Sequence, residues 1–187
     1  MQVVSIHACT PSHEMILKRT MADQTFSSNR WINFVPTEHA VILFAMTDDD
    51  ILLIHKKRGL GHGKINGPGG RVEAGETPYE AAIRETQEEV GLTTENLTEQ
   101  ALLRFIFTNG YSLEVAVFTT RSYSGQIIET DEADPFWCRQ TEIPYDRMWE
   151  DDRVWLPEVL AGRYVSGHFY FDEDTMLESS VSVRPLD

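Results

Sequence analysis

The feature that most constrains how this chain folds is the segment GRVEAGETPYEAAIRETQEEVGL, residues 70–92. Thr77 is followed three residues later by Glu80, with Pro78 between them. This is the pattern of a capping box with proline in the first turn, and it predicts a helix that begins after Thr77. Gly91 suits the left-handed residue that ends such a helix.

The predicted helix carries an apolar face and an acidic face. Glu85, Glu88 and Glu89 are three and four residues apart or adjacent, so their carboxylates are expected on one side near the C-terminal end. Like charges at this spacing cost about 0.2–0.5 kcal/mol, and anions there oppose the helix dipole. A solvated charged face is one interpretation; we favour a site for bound cations, because nothing about helix stability asks for this clustering. The predicted buried stripe consists of Tyr79, Ala82, Ile83, Thr86 and Val90.

A glycine-rich loop leads into this helix. Six glycines lie within residues 59–70, and the stretch NGPGG at 66–70 is a strong loop signal. Such a loop lets backbone carbonyls and amides approach a metal-bound phosphate closely. Oxygen ligands without histidine or thiolate favour Mg²⁺, with Mn²⁺ as a possible substitute, and argue against zinc.

Composition bounds the partners. The 187 residues, 41% of them hydrophobic, predict one domain with a full core. Thirty acidic and 16 basic residues give a net charge of −14, so we expect neither nucleic acid nor a membrane surface as a partner. Cys9 and Cys138 lack metal-site spacing and suit reduced thiols in a cytoplasmic protein. A monomer and a homodimer fit the sequence equally well.

Local patterns divide the chain into an N-terminal extension, residues 1–35, without sustained periodicity, and a domain, residues 36–187. The domain is predicted to contain hairpins at 40–46/51–58, 101–107/111–120 and 167–183, a strand near 135–139 and a short helix at about 152–161. The order strands, helix, strands, helix, strands predicts an α+β fold with a mixed sheet flanked by helices.

Written by position, residues 70–92 resemble the Nudix box, GX5EX7REUXEEXGU, in which U is a bulky aliphatic residue. Every fixed position matches except the first U, which is Thr86. The resemblance implies the Nudix α/β/α sandwich. Beyond the box, the chain is similar to the MutT-type oxidised-purine nucleoside triphosphatases, particularly the animal form. The stretches that carry this are KKRGLGHGKINGPGGRVEAGET (56–77), ETDEADPFW (129–137), IPYDRMWEDDRVWLP (143–157) and GHFYFDEDTML (167–177).

The resemblance also implies a site. Glu85, Glu89 and Glu132 with the Gly70 carbonyl would hold the metal, and Glu88 would support them. Arg84 would orient a box carboxylate, and Lys56 would meet the phosphates. A base pocket would use Asn66, Trp149, Asp151 and Asp152. Two adjacent carboxylates suit an oxidised base edge if one stays protonated, because it then donates while its neighbour accepts. The general base is left open between Glu132, Glu88 and another carboxylate.

The implied function is Mg²⁺-dependent hydrolysis of oxidised or otherwise modified purine nucleoside triphosphates to a nucleoside monophosphate and pyrophosphate, which sanitises the nucleotide pool. One alternative is a Nudix hydrolase of another nucleoside diphosphate derivative, such as a dinucleoside polyphosphate or a capped RNA end. Another is a non-catalytic Nudix-like module that binds a ligand. Leu60, Ile65, Pro68 and Ile106 stand where the animal enzyme has aromatic residues, which predicts weaker stacking on the base.

Overall fold

The computed structural model describes residues 28–186. Its two α-helices are α1 (Pro78–Val90) and α2 (Asp152–Leu160), and short 3₁₀ turns lie at Ser28–Trp31, Gln140–Glu142 and Tyr145–Arg147. The strands are β1 (Glu38–Ala45), β2 (Asp50–Lys56), β3 (Ile65–Asn66), β4 (Thr93–Glu95), β5 (Thr98–Phe107), β6 (Ser112–Thr120), β7 (Ser122–Ser124), β8 (Ala133–Arg139), β9 (Arg163–Asp172) and β10 (Thr175–Pro185). No helix of this part of the chain is long and apolar enough to span a membrane.

The main sheet is mixed and has helices on both faces. Its strand order is β1-β6-β5-β9-β10, with β1 parallel to β6, β5 parallel to β9 and the other pairs antiparallel. On one face, Ala81 and Ala82 of α1 pack against Val41, Leu43 and Phe118. On the other face, α2 buries Trp155, Leu156 and Val159 among Phe44, Val115 and Phe169. The predicted fold class is therefore confirmed, since burial on both faces produces the helix, sheet, helix layering.

The predicted hairpin between residues 40–46 and 51–58 is wrong. β1 pairs with β6, whereas β2 joins a second sheet of order β3-β2-β8, and only an isolated bridge between Met46 and Ile51 connects the two strands. Side chains from Ile51 to Ile54 are all fully buried. An apolar run indicates a buried strand without indicating which strand it pairs with, so the short turn between the two runs does not by itself place them side by side in one sheet. The other two predicted hairpins form as β5/β6 and β9/β10.

Helix α1 has the predicted caps but a different buried face. Thr77 accepts from the Glu80 amide, the Glu80 side chain accepts from the Thr77 amide, and Gly91 ends the helix at φ 77°. Tyr79 is 41% exposed, so its place in the predicted stripe is wrong. The helix is rotated so that the carboxylate of Glu89 points inward. The buried residues of α1 are Ala81, Ala82, Thr86, Glu89 and Val90.

The described end of the predicted extension packs on the outer strands. The Arg30 guanidinium lies 3.6 Å from the Tyr170 ring centroid and pairs with Glu178 at 2.8 Å. Trp31 meets the His168 ring edge-on at 4.7 Å between centroids. Residues 1–27, which include Cys9, lie outside the described residues, so the division at residue 35 stays a prediction.

Candidate active site

An open cleft of about 370 Å³ lies between the glycine-rich loop, the C-terminal half of α1 and the sheet. The structure brings six of the predicted site residues to its walls, and one of them, Asn66, also lines a second cavity. The other five are Lys56, Gly70, Glu85, Glu89 and Glu132. Arg84 and Glu88 lie on α1 and do not line the cleft, but Arg84 donates hydrogen bonds both to Glu88 and to the cleft residue Glu85.

The glycine-rich loop runs along β1 as an extra strand would. The Val41 amide donates to the Gly70 carbonyl at 2.8 Å, and the Leu43 amide donates to the Pro68 carbonyl at 2.9 Å. This places Gly70 directly against α1, where a Cβ built on it would lie 2.5 Å from Cδ of Glu85. Real carbon atoms keep about 3.5 Å or more, so only glycine lets the loop approach this carboxylate so closely.

Glu89 is the most deeply buried acid of the cleft, with a side chain 3% exposed. Its Oε1 accepts from Lys56 Nζ at 3.1 Å, and its Oε2 accepts from the Gly69 amide at 2.9 Å. Lys56 Nζ also donates to the Gly69 carbonyl at 3.3 Å. Lys56, predicted to meet phosphates, thus lies against the predicted metal ligand Glu89, within the same cleft.

Arg84 organises the acidic face of α1. It makes a two-pronged pair with Glu76, with both N···O distances 2.8 Å, and donates to Glu85 at 2.8 Å and to Glu88 at 3.1 Å. Arg84 Nη2 also donates to the Arg71 backbone carbonyl at 3.0 Å. Bidentate pairs fix a guanidinium in the plane of its partner, so Arg84 holds the Glu85 carboxylate in place.

Two of the three acids that share Arg84 differ in electrostatics. Hydrogen bonds from Arg84 lower the pKa of Glu76 to about 2. Burial raises the pKa of Glu85, although Arg84 acts in the opposite direction and Glu89 and Glu88 add to the rise. Glu76 is the first glutamate of the box pattern and lies eight residues before Arg84, so the box spacing is the sequence signal for this ion pair.

Glu132 reaches the cleft from the loop before β8, far along the chain. Its side chain is 56% exposed and lies 3.5 Å from Nη1 of Arg58, a residue that sequence reasoning missed. The Lys57 amide donates to the Glu132 carbonyl at 2.8 Å, which ties this loop to the end of β2. Among the residues that the structure describes, no three His, Cys, Asp or Glu side chains are grouped closely enough to hold a metal ion by themselves.

A second, narrower cavity of about 80 Å³ opens beside the cleft. Ile42, Leu60, Asn66, Leu113 and Val115 line both spaces, so they form one continuous surface. The remaining walls of the cavity are Leu103, Phe105, Phe107, Trp149, Asp151, Asp152 and Trp155. The four residues predicted for a base pocket are therefore brought together here.

Two buried aspartates form the polar end of this cavity. Oδ2 of Asp151 accepts from Trp155 Nε1 at 2.8 Å, whereas Oδ1 is buried and has no hydrogen-bond partner in the described structure. Asp152 accepts from the Trp149 amide at 2.9 Å. Burial raises the pKa of Asp151 to about 7. Burial, followed by the charge of Asp151, raises the pKa of Asp152 well above its ordinary value. At neutral pH the pair therefore retains a proton and offers both a donor and an acceptor.

Of the four aliphatic residues expected to weaken stacking, Leu60 lines the cavity, whereas Ile65, Pro68 and Ile106 do not. β5 alternates, so Leu103, Phe105 and Phe107 line the cavity, and Ile106 is not part of its lining. Phe105 stacks on Phe169 at 5.3 Å between centroids. The idea that Ile106 replaces a wall of the pocket is therefore wrong, because it placed the residue on the wrong face of the strand.

A family model described as NUDIX domain matches residues 36–159. The chain belongs to the Nudix family. The crystal structure of the MutT protein from Bacillus halodurans superposes with a TM-score of 0.70, covering 77% of this chain and 97% of that chain at 24% identity. A likeness at this identity shows the fold.

Two relatives resemble the Nudix chain over most of its length. The oxidized purine nucleoside triphosphate hydrolase of Danio rerio is 41% identical over 130 residues, which are 68% of this chain and 83% of that protein. The protein of the same description from Mus musculus is 36% identical over 148 residues, 78% of this chain and 94% of that protein. The predicted resemblance and the prediction of a Nudix hydrolase are confirmed.

Proposed function

We propose that this Nudix protein hydrolyses oxidised purine nucleoside triphosphates to a nucleoside monophosphate and pyrophosphate and so sanitises the nucleotide pool. The observation that carries the proposal is the continuity of two spaces with different chemistry. One is an acidic cleft bounded by the glycine-rich loop, and the other is an aromatic cavity that ends in Asp151 and Asp152. The identity of 36–41% to two oxidized purine nucleoside triphosphate hydrolases supports this assignment.

The residues of the cleft fit a divalent ion. Nudix hydrolases generally use one, and we propose Mg²⁺, with Mn²⁺ as a substitute, because the donors are carboxylate and carbonyl oxygens. Glu85, Glu89 and the Gly70 carbonyl would hold it. One feature supports the fit: Gly70 leaves no Cβ between the loop and the Glu85 carboxylate. When bound, the ion supplies charge neutralisation for the phosphates and lowers the pKa of a bound water.

The remaining residues of the cleft position the triphosphate and the proton. Lys56 moves its ammonium between Glu89 and a phosphate oxygen, and Arg84 keeps Glu85 oriented. We assign the general base to Glu132, because it lines the cleft, whereas Glu88 is not part of the lining. Water attacks one phosphorus of the α–β phosphoanhydride and its proton goes to Glu132. The P–O bond opposite breaks, and the departing phosphate oxygen keeps the electron pair, which leaves a nucleoside monophosphate and pyrophosphate.

The cavity selects the base. Trp149 offers a flat face on which a purine stacks. The protonated member of the aspartate pair donates to the base edge while its neighbour accepts, and Asn66 adds an amide at the junction with the cleft. The Asp151 Oδ1 atom, buried without a partner in the described structure, is the acceptor that a bound base would satisfy. A cytoplasmic location, where reduced thiols persist, is part of the proposal.

The catalytic part is tested by pyrophosphate release with and without Mg²⁺, using 8-oxo-dGTP as substrate. We expect Mg²⁺-dependent turnover that falls by orders of magnitude in Glu89→Gln, with the fold unchanged by circular dichroism. Glu88→Gln, on the same helix but facing solvent, serves as the matched control and is expected to lose far less. Turnover in Glu89→Gln equal to wild type would refute the metal role. A wild-type protein that binds the nucleotide but releases no pyrophosphate would support the non-catalytic alternative.

A further inference from the structure

Trp149 is held by residues from several parts of the chain. Phe107 and Phe171 meet its ring edge-on, at centroid distances of 6.2 and 5.6 Å. A Cβ built on Gly61 would lie 2.9 Å from the indole Nε1, so the glycine-rich loop packs tightly against that edge. The ammonium of Lys64, from the end of the same loop, lies 4.8 Å from the ring centroid. The indole therefore has little freedom to rotate.

Lys64 is itself anchored. Its Nζ pairs with Asp174 Oδ2 at 3.0 Å, in the turn between β9 and β10, and its side chain is only 22% exposed. Its amide donates to the Gly61 carbonyl, and its carbonyl accepts from the Lys56 amide, both at 2.9 Å. An exposed ion pair contributes little to stability. The Asp174 contact matters because it keeps the ammonium over the indole ring.

The charge of Lys64 reaches the aspartate pair as well. Burial and then the charge of Asp151 raise the pKa of Asp152, and the Lys64 ammonium acts in the opposite direction. The Lys64 ammonium thus lies over the Trp149 ring and also favours the charged form of Asp152 at the polar end of the same cavity. Lys64 is not among the residues that line the cavity, so it acts through its neighbours.

We propose that Lys64 is a positioning residue, which holds Trp149 as the stacking surface for the purine and is anchored by Asp174. A cation over an indole face is attracted by the ring quadrupole, most strongly when it is partly desolvated. The inference rests on the proposed function, because it requires a purine in the cavity. It goes beyond that function by assigning part of the affinity of the cavity for the base to a residue outside the cavity.

The test compares Lys64→Met with Lys64→Arg, and Arg121→Met is the matched control, since Arg121 pairs with Asp48 on the surface and the change removes the same charge. Binding of 8-oxo-dGMP is measured by calorimetry, and KM and kcat are measured with 8-oxo-dGTP and dGTP. We expect Lys64→Met to weaken binding and raise KM about five- to tenfold for the oxidised base, with kcat within about twofold of wild type. Lys64→Arg restores binding, because a guanidinium stacks on the ring in the same way.

Equal affinity in Lys64→Met and the Arg121→Met control would overturn the inference. Loss of the same size in Lys64→Arg would also overturn it, because a positive charge over the ring would then not be the cause. A wild-type protein that binds no oxidised purine monophosphate would refute the proposed function itself, so the two failures are distinguishable.

Discussion

Replacing Gly70 by alanine tests how the loop and helix build the cleft. Gly70 does not adopt a left-handed backbone conformation, so alanine fits its backbone without strain. The new Cβ would lie 2.5 Å from Cδ and Oε1 of Glu85. To regain a separation of about 3.5 Å, the carboxylate has to retreat by about 1 Å. It is not free to do so without loss, because Oε1 accepts from Arg84 at 2.8 Å and the side chain is only 14% exposed.

A shift of this size in a catalytic group costs about 100-fold in rate. We therefore expect Gly70→Ala to lower kcat about 100-fold by pyrophosphate release, while the melting temperature changes little. Gly162→Ala is the control: it introduces strain at φ 74° with nothing within 4 Å, so it should lower stability and leave kcat unchanged. In a Glu85→Gln background, Gly70→Ala should add little further loss. A Gly70→Ala enzyme with wild-type kcat would refute the reasoning.

Three further predictions concern stability, pH dependence and turnover. Thr86→Val removes a buried hydroxyl that donates to the Ala82 carbonyl at 2.8 Å, and the added methyl offsets the loss of that hydrogen bond. The free energy of unfolding measured in urea should therefore change by less than about 1 kcal/mol. A loss above about 2 kcal/mol would show that the hydroxyl is required. Asp151 has its pKa raised from 3.8 to about 7, so the native state binds more protons than the unfolded state in that window and its contribution to stability falls as pH rises. Asp151→Asn should flatten this decline in urea titrations between those pH values, and an unchanged slope would contradict the burial argument. Glu76→Gln breaks the bidentate ion pair with Arg84 and should lower kcat about tenfold at constant KM. A rise in KM with unchanged kcat would instead indicate that Glu76 contributes to substrate binding.

Much of the fold follows from local chemistry in the sequence. The caps of α1 at Thr77 and Gly91 and the turn at Asn109-Gly110 require particular residues, so these elements could be predicted within one or two positions. The pairing of β1 could not, because an apolar run indicates a buried strand without indicating its neighbour. Parallel pairing with β6 joins residues more than 70 positions apart, for example Glu38 and Leu113.

The candidate site shows the same division. Box spacing predicts which acids of α1 converge, because helix geometry relates residues three and four apart. It does not predict that Glu89 is buried against Lys56 while Glu88 faces solvent, since that depends on how the helix is rotated against the sheet. Lys64 left no signal of its own, because a lysine near a glycine-rich loop is ordinary until the fold places Trp149 beside it.

The most direct test of the account is the ratio of kcat/KM for 8-oxo-dGTP to that for dGTP. It should be measured with Mg²⁺ alongside 2-hydroxy-dATP, O6-methyl-dGTP and dATP, with a dinucleoside polyphosphate and ADP-ribose as outgroups. The account predicts a clear preference for an oxidised purine triphosphate, which Asp152→Asn reduces, because the aspartate pair reads the base edge. Hydrolysis of the outgroups alone would contradict it, leaving the acidic cleft as a catalytic site but removing the aromatic cavity as the purine pocket.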